Sequence, residues 1–299
     1  MSKKTHQQQL AARKAQRQAE RAAERARQRR MVGITIAAIV SVVVVIVGAV
    51  LIAANTGGQD TPTAGDTPST EPTSAPSEAG PDNKPKSIPT ALAAPLKRPS
   101  ALPAEVDCTY TKGEAAAKKV NPPANGKVKT GGTTQVTLKT SVGDLGLTLD
   151  SALAPCTVKS FVSLVDQKYF DNTICHRLTV GERLQVLQCG DPSASGSGGP
   201  GYSFKDEVFP ELKYGRGTLA MANSGPNTNG SQFFIVYGDG SGLDPAYTAF
   251  GTVDAAGLKA IDKVANAGVI PSETGQGGPG DGKPATEVRI TAATTASKN

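Results

Sequence analysis

The chain has no tryptophan, and aromatic residues make up only 4% of its 299 positions. A core built from it must rest on Val, Leu, Ile and a few Phe. Histidine is nearly missing, with two residues, and the only one outside the N-terminal tail is His176. Together with the lack of any Cys-x-x-Cys, that scarcity argues against a metal centre. It also excludes a Ser-His-Asp type of triad, because no nucleophile elbow is present and no further His is at hand to serve as base. Basic charge is missing from most of the chain as well. Residues 1–30 hold ten Lys/Arg and two Asp/Glu, a charge of +8 against +6 for the whole chain, so the other 269 residues carry about −2. Such a near-neutral remainder argues against a nucleic-acid partner and turns the basic N-terminus toward a membrane.

What is present divides the chain into five stretches. Residues 1–31 are a basic segment that reads as a polar helix held near anionic headgroups on the cytoplasmic side. Residues 32–54, VGITIAAIVSVVVVIVGAVLIAA, are free of charge and long enough to span a bilayer once as a helix. Arg25, Arg27, Arg29 and Arg30 stand before this run, which predicts a cytoplasmic N-terminus and an extracytoplasmic remainder. A cleaved signal peptide is the competing reading, since Ala53 and Ala54 are small. The length of the run and of the segment ahead of it favours an uncleaved anchor in the cell membrane. Residues 55–103 are rich in Pro, Thr, Ser and Gly and read as a disordered linker. Residues 104–133 form an extension in which Glu114 to Val120 predicts a short helix, stopped by Asn121-Pro122-Pro123.

From residue 134 to 299 the pattern is that of one compact domain. Alternation predicts strands at 135–139 and 144–149, and again at 173–179, 184–189, 218–222, 233–236, 250–253 and 287–291. Pro155 opens a helix through Gln167, and Leu258 to Ala265 is a second. The expectation is a mainly β fold: a closed antiparallel eight-stranded barrel capped by two helices. All four cysteines, Cys108, Cys156, Cys175 and Cys189, follow the apolar run, and an even number outside the membrane suggests two disulfides, with free buried thiols as the alternative. Cys175 and Cys189 bracket a hairpin centred near Glu182, which favours 175–189 and 108–156 among three pairings. Strict alternation, however, sets Cys175 and Cys189 on different faces, and a bulge near Cys189-Gly190 is one way out.

One run stands out, Gly217 to Phe234, GTLAMANSGPNTNGSQFF. With His176-Arg177, Gln188-Cys189-Gly190-Asp191 and Gly196-Ser197-Gly198-Gly199 it resembles the cyclophilins, over roughly half of the chain. The resemblance implies a peptidyl-prolyl cis-trans isomerase (EC 5.2.1.8) acting on Xaa-Pro segments of unfolded or flexible polypeptides. Bottom-up, exchange about a peptide bond must cross a barrier of ~18–20 kcal/mol set by amide resonance. It needs no nucleophile, cofactor or metal. It needs a fixed cation that favours the twisted amide over the planar one. The resemblance puts that cation at Arg177, with His176 and Gln188 in support. It assigns substrate binding to Met221, Ala222, Asn223, Ser224, Gln232, Phe234, Leu243, Tyr247 and Gly196, whereas Phe233 reads as core because adjacent strand residues face opposite ways.

Four features depart from the family. Gln185 stands where a pocket Phe is usual, so Leu184 or Val186 must fill that gap. Gly181-Glu182-Arg183 looks inserted. Gly242 occupies a frequent Trp position, which puts tight cyclosporin binding in doubt, and Tyr247 a frequent His position. The expected role is assistance to folding of secreted or cell-envelope proteins by a monomer. The alternatives are a proline-peptide binding or chaperone module with weak or no catalysis, and a membrane-linked scaffold acting through its N-terminal helix.

Overall fold

The computed structural model describes residues 83–271 and 278–296. The basic segment, the apolar run 32–54 and the linker up to residue 82 lie outside them, so the expected membrane helix is not part of the described structure. Among the described residues no helix is long and apolar enough to cross a membrane. Of the two units into which the chain divides, 1–73 and 74–299, only the second contains described residues.

The extension carries β1 (Glu105–Cys108), β2 (Thr111–Lys112) and β3 (Gly126–Lys129). Then come β4 (Thr133–Thr140), β5 (Leu145–Asp150), helix α1 (Pro155–Asp166), β6 (Thr173–Ile174), β7 (Arg177–Thr179), β8 (Val186–Cys189) and β9 (Tyr202–Ser203). β10 (Thr218–Met221), β11 (Phe233–Val236), β12 (Ala249–Val253), α2 (Ala255–Ala267), β13 (Val269–Pro271), β14 (Asp281–Pro284) and β15 (Arg289–Thr295) complete the order. Alternation works as expected in β5, where Leu145, Leu147 and Leu149 are buried and the residues between them are half-exposed. α1 buries Val158, Phe161, Leu164 and Val165 on one face. Phe161 is the hub of the core, with ring centroids 4.9 Å from Phe170, 5.3 Å from Phe233 and 5.2 Å from Phe250.

The closed eight-stranded barrel does not form. The main sheet has eleven strands in the order β13-β14-β7-β8-β11-β10-β12-β5-β4-β15-β6, with β13 and β6 as edges, and two two-stranded sheets, β1-β3 and β2-β9, stand apart from it. Closure requires the last strand to pair with the first in a consistent stagger. β6 is two residues long and pairs only with Arg289 and Ile290 of β15. Its continuation in the chain is β7, at the far side of the sheet order, and Cys175 and His176 between them leave the ladder. The sheet is therefore continuous there through the chain and not through hydrogen bonds. The short helix expected over 114–120 is also absent. Its backbone is engaged elsewhere: Gly113 donates to the Gly201 carbonyl at 3.0 Å and Ala117 to that of Gly199 at 2.8 Å. α2 starts a turn before the expected residue because the Asp254 side chain caps it, accepting from the Gly257 N–H at 2.7 Å.

Both expected disulfides are present, Cys108–Cys156 and Cys175–Cys189. The conflict of faces is removed mainly at Cys175, which lies outside β6 and β7 and donates to the Val288 carbonyl instead. No bulge is needed within β8.

Residues 83–103 have almost no regular structure, yet they are fastened to the domain, unlike a free tether. Ala93 donates to the Arg216 carbonyl at 3.0 Å, and the Gln185 amide donates to that of Ser87 at 2.7 Å. Arg98 donates to the carbonyls of Leu153 and Glu207, both at 2.8 Å, and its guanidinium lies 5.2 Å from the Phe209 ring centre. Leu153 stands just ahead of the start of α1, which lacks a side-chain cap of its own. The Glu207 carboxylate supplies it, accepting from the N–H groups of Cys156 at 3.0 Å and Thr157 at 2.8 Å. Arg98→Ala should therefore lower unfolding stability by about 1–2 kcal/mol. The neighbouring, exposed Lys97→Ala should stay within about 0.5 kcal/mol. Urea denaturation of the full chain checks both, and equal effects would show that this stretch does not hold the domain.

Candidate active site

The register of three adjacent strands builds the centre of the site. Arg177 on β7 pairs with Gln188 on β8, and Gln188 pairs with Phe234 on β11. Directly paired residues of antiparallel strands share a face, and neighbouring strands lie ~4.8 Å apart. A cation, an amide and an aromatic ring thus stand in one row, with Ala220 of β10 as the small residue beyond Phe234.

The Arg177 side chain is about two-fifths exposed, and its guanidinium is held on two sides. Its Nε donates to Asp281 Oδ1 at 2.8 Å and its Nη2 to Oδ2 at 2.7 Å, a bidentate pair, while Nη1 donates to Gln188 Oε1 at 3.0 Å. The bond to Asp281 raises the guanidinium pKa further above its ordinary value. Arginine has five N–H hydrogens, so one remains on each terminal nitrogen. Because arginine only donates, Gln188 must turn its oxygen toward it and its nitrogen away. That nitrogen donates to Gln232 Oε1 at 2.9 Å, and Gln232 Nε2 donates to the carbonyls of Gly196 and Gly198 at 2.9 and 3.0 Å.

The 193–198 loop at the end of this relay is pinned by buried Asp191. Its carboxylate accepts from the N–H groups of Ser193, Gly196 and Gly198 at 2.8, 2.8 and 3.0 Å, and from the Ser193 hydroxyl at 2.7 Å. Burial alone raises the carboxyl pKa, but these bonds outweigh it and hold the group below the usual range. His176 is buried, and neither ring nitrogen has a hydrogen-bond partner. It packs beside Gly196, where an added Cβ would meet its ring at 3.7 Å.

Phe234 is buried, and its ring packs against those of Tyr247 and Tyr214, with centroids at 5.6 and 6.4 Å. The Tyr214 hydroxyl donates to the Tyr247 carbonyl at 2.7 Å, so sequence reasoning missed a supporting residue there. Phe233 enters the core, as expected. Met221 does not wall the groove: it pairs with Phe233 and is buried on that inner face. Asn223 uses its side chain internally, donating to the Ala246 carbonyl at 3.0 Å and accepting from the Gly225 N–H at 3.2 Å. Leu243 is half-buried on a loop that the 181–183 insertion supports, through Gly242 donating to the Arg183 carbonyl at 2.8 Å. Gln185 is not in the groove. Its amide bonds Ser87 and the Asp239 N–H, and alternation gives its place on the Gln188 face to Val186.

Beside the row lies a cavity of about 490 Å³. Gln188, Gln232, Gly196, Ala222, Asn223 and Ser224 line it, together with residues 113–115 of the extension, which sequence reasoning did not connect to the site. Arg177, His176, Met221, Phe234, Leu243 and Tyr247 do not line it. Among the described residues no cluster of His, Cys, Asp and Glu suits a metal ion.

An open β-sheet thus sets a fixed cation, an amide relay and a packed aromatic group in one row beside a cavity of mixed polarity. Residues 135–295 match the family model described as cyclophilin type peptidyl-prolyl cis-trans isomerase/CLD, and the chain belongs to this family. It is 52% identical over 199 residues to a probable peptidyl-prolyl cis-trans isomerase B of Mycobacterium leprae, covering 62% of this chain and 65% of that protein. It is 51% identical over 199 residues to the protein of the same description from Mycobacterium tuberculosis, covering 62% of each. The match thus spans just under two thirds of these two relatives. A peptidyl-prolyl cis-trans isomerase-like 1 of Neurospora crassa is 40% identical over 161 residues, covering 52% of this chain and 91% of that one.

Burial lowers the His176 pKa, with Asp191 opposing the shift and Arg177 adding to it. In the unfolded chain the ring protonates near pH 6.5, whereas the folded ring stays neutral to lower pH. Its contribution to stability is complete above about pH 6.5 and is lost as pH falls from there toward the folded pKa. Wild type should therefore lose stability relative to His176→Gln as pH drops below about 6.5, by at most about 1.4 kcal/mol per pH unit. Chemical denaturation of both proteins across that range checks it. A constant difference would mean that the folded ring titrates normally.

Proposed function

We propose that this chain catalyses cis/trans exchange of Xaa-Pro bonds, with Arg177 polarising the prolyl amide. One observation carries the reading: the row Arg177–Gln188–Phe234. Two strand spacings separate the backbones at its ends by roughly 10 Å, a gap that the Arg177 side chain, bonded to Gln188, spans toward a prolyl amide whose ring rests by Phe234. Among the described residues, one N–H on each terminal nitrogen of Arg177 has no protein partner. Donation to the prolyl nitrogen or the carbonyl beside it favours the twisted amide, in which resonance is lost, over the planar one. Gln188, oriented by Gln232, has a second amide N–H to offer the peptide main chain, and Tyr247 and Leu243 close the ring's surroundings. Family membership and the descriptions of the mycobacterial relatives support the same activity.

The placement is part of the proposal. The sequence of residues 1–54 supports a single-pass anchor with the isomerase domain outside the membrane, and two disulfides suit an oxidising compartment. Secreted or cell-envelope chains displaying Xaa-Pro segments are then the substrates. The alternative of a binding module without catalysis leaned on Gln185 spoiling the pocket, and that side chain is engaged with Ser87 and Asp239 instead.

Arg177→Ala should reduce kcat/KM on a Xaa-Pro peptide about 100-fold, with peptide affinity changing far less. NMR exchange measurements on the full chain separate the two quantities. A folded Arg177→Ala protein with the wild-type rate would sink the enzyme reading, and lost affinity with no wild-type turnover would favour the binding module. Asp281 is a positioning residue in this scheme. Asp281→Asn keeps the shape but removes one acceptor and the charge, so kcat should fall about tenfold while KM stays within about threefold. A parallel rise in KM alone would assign Asp281 to binding.

A further inference from the structure

The cavity beside the catalytic row has one wall that the family-matched region does not supply. That match begins at residue 135, whereas Gly113, Glu114 and Ala115 line the cavity from the extension. The wall is built to stay. β2 pairs with β9 through Thr111–Ser203 and Lys112–Tyr202, so the extension is stitched to a strand whose two residues also line the cavity. Gly113 and Ala117 donate to the carbonyls of Gly201 and Gly199 on either side of Glu114. Gly201, at φ +77°, lies so close that a Cβ there would meet the Ala116 Cβ and the Glu114 carbonyl at 3.1 Å. Upstream, the Cys108–Cys156 disulfide ties β1 to α1.

The chemistry of the lining is uneven. Gly, Ser, Gln, Asn and Thr alternate with Ala115, Ala222, Pro200 and Tyr202, and among the described residues of the lining Glu114 alone carries a formal charge. Lys112, the nearest cation along the chain, is not part of the lining, and Arg177 lies outside the cavity. A polypeptide whose proline rests by Phe234 and whose backbone meets Gln188 must send residues on one side of the proline past Ala222–Ser224 into this space.

We propose that residues 113–115 are a specificity wall and that Glu114 selects substrates with a cationic side chain near the isomerised proline. The proposal rests on the peptide-groove reading above and adds a substrate class to it. An exposed carboxylate acts through a screened field, so the preference is modest and salt-dependent.

The test uses the full chain as wild type, Glu114→Gln and Glu114→Lys, each checked for folding by circular dichroism. Fluorescent peptides of one length and one proline carry Lys, Gln or Glu two residues before the proline in one series and two after it in the other. Binding is read by anisotropy and turnover by NMR exchange. In one series wild type should favour Lys over Glu by about three- to fivefold at low salt, and the gap should close at high salt. Glu114→Gln should flatten the order and Glu114→Lys reverse it. The same Lys-to-Glu ratio in wild type and Glu114→Gln in both series overturns the proposal. A binding preference that tracks residue 114 without any turnover supports it and sinks the isomerase reading instead. Failure of all peptides to bind overturns both.

Discussion

A partly buried guanidinium can be kept in place only by groups that accept, and the arrangement of the whole groove follows from how Arg177 meets that need. Asp281 takes two of its donors and Gln188 a third. Because arginine never accepts, the first bond sets the orientation of the Gln188 amide, which sets that of Gln232, which must then donate to two carbonyls of the 196–198 loop. The loop's own N–H groups turn the other way, to Asp191. A directional chain thus runs from one ion pair to another carboxylate. Reversing any member would leave a polar atom facing its like in a half-buried place, which is costly.

The same region explains why the sheet stays open. A regular strand through Cys175 and His176 would have continued β6 into β7 and kept strict alternation. Alternation would have pointed Cys175 to the groove side along with Arg177, away from Cys189. By leaving the ladder for two residues, the chain brings Cys175 to its disulfide partner and packs His176 against the Gly196 loop. Hydrogen-bonded closure is given up where the groove residues need an irregular backbone, consistent with irregularity gathering at functional sites.

Much of the site was legible in the sequence because it lies in contiguous motifs whose residues are close in the chain. The periodicity of β5 and α1 likewise announced the core. What stayed hidden depends on pairings between distant short elements. Asp281 reaches Arg177 across 104 residues through a four-residue strand, Asp-Gly-Lys-Pro, that has no strand-like pattern. Residues 113–115 join the cavity through a two-residue ladder too short to show any period. Met221 was misplaced by parity. It sits in the same motif as Phe234, but the β10–β11 register pairs it with Phe233, and a shift of one residue changes the face. Residues 83–103 read as free linker because their composition is that of one, while their attachment comes from backbone groups and a single arginine.

The two disulfides fall on opposite sides of this division. Cys175–Cys189 closes a short loop, 14 residues apart, beside a strand pair that already has ladder bonds, so its main effect is on the shape next to Arg177 and Gln188. Cys108–Cys156 spans 48 residues and restricts the unfolded chain more, since the entropy removed grows with loop length. It anchors the extension, where the described ladders are short, chiefly the four-residue β1–β3 pair and the two-residue β2–β9 pair. Pairs that short are marginal without help. The stronger covalent restraint therefore stands where local structure is weakest, and it keeps the wall bearing Glu114 at the cavity, while the site's central row is held by the sheet itself.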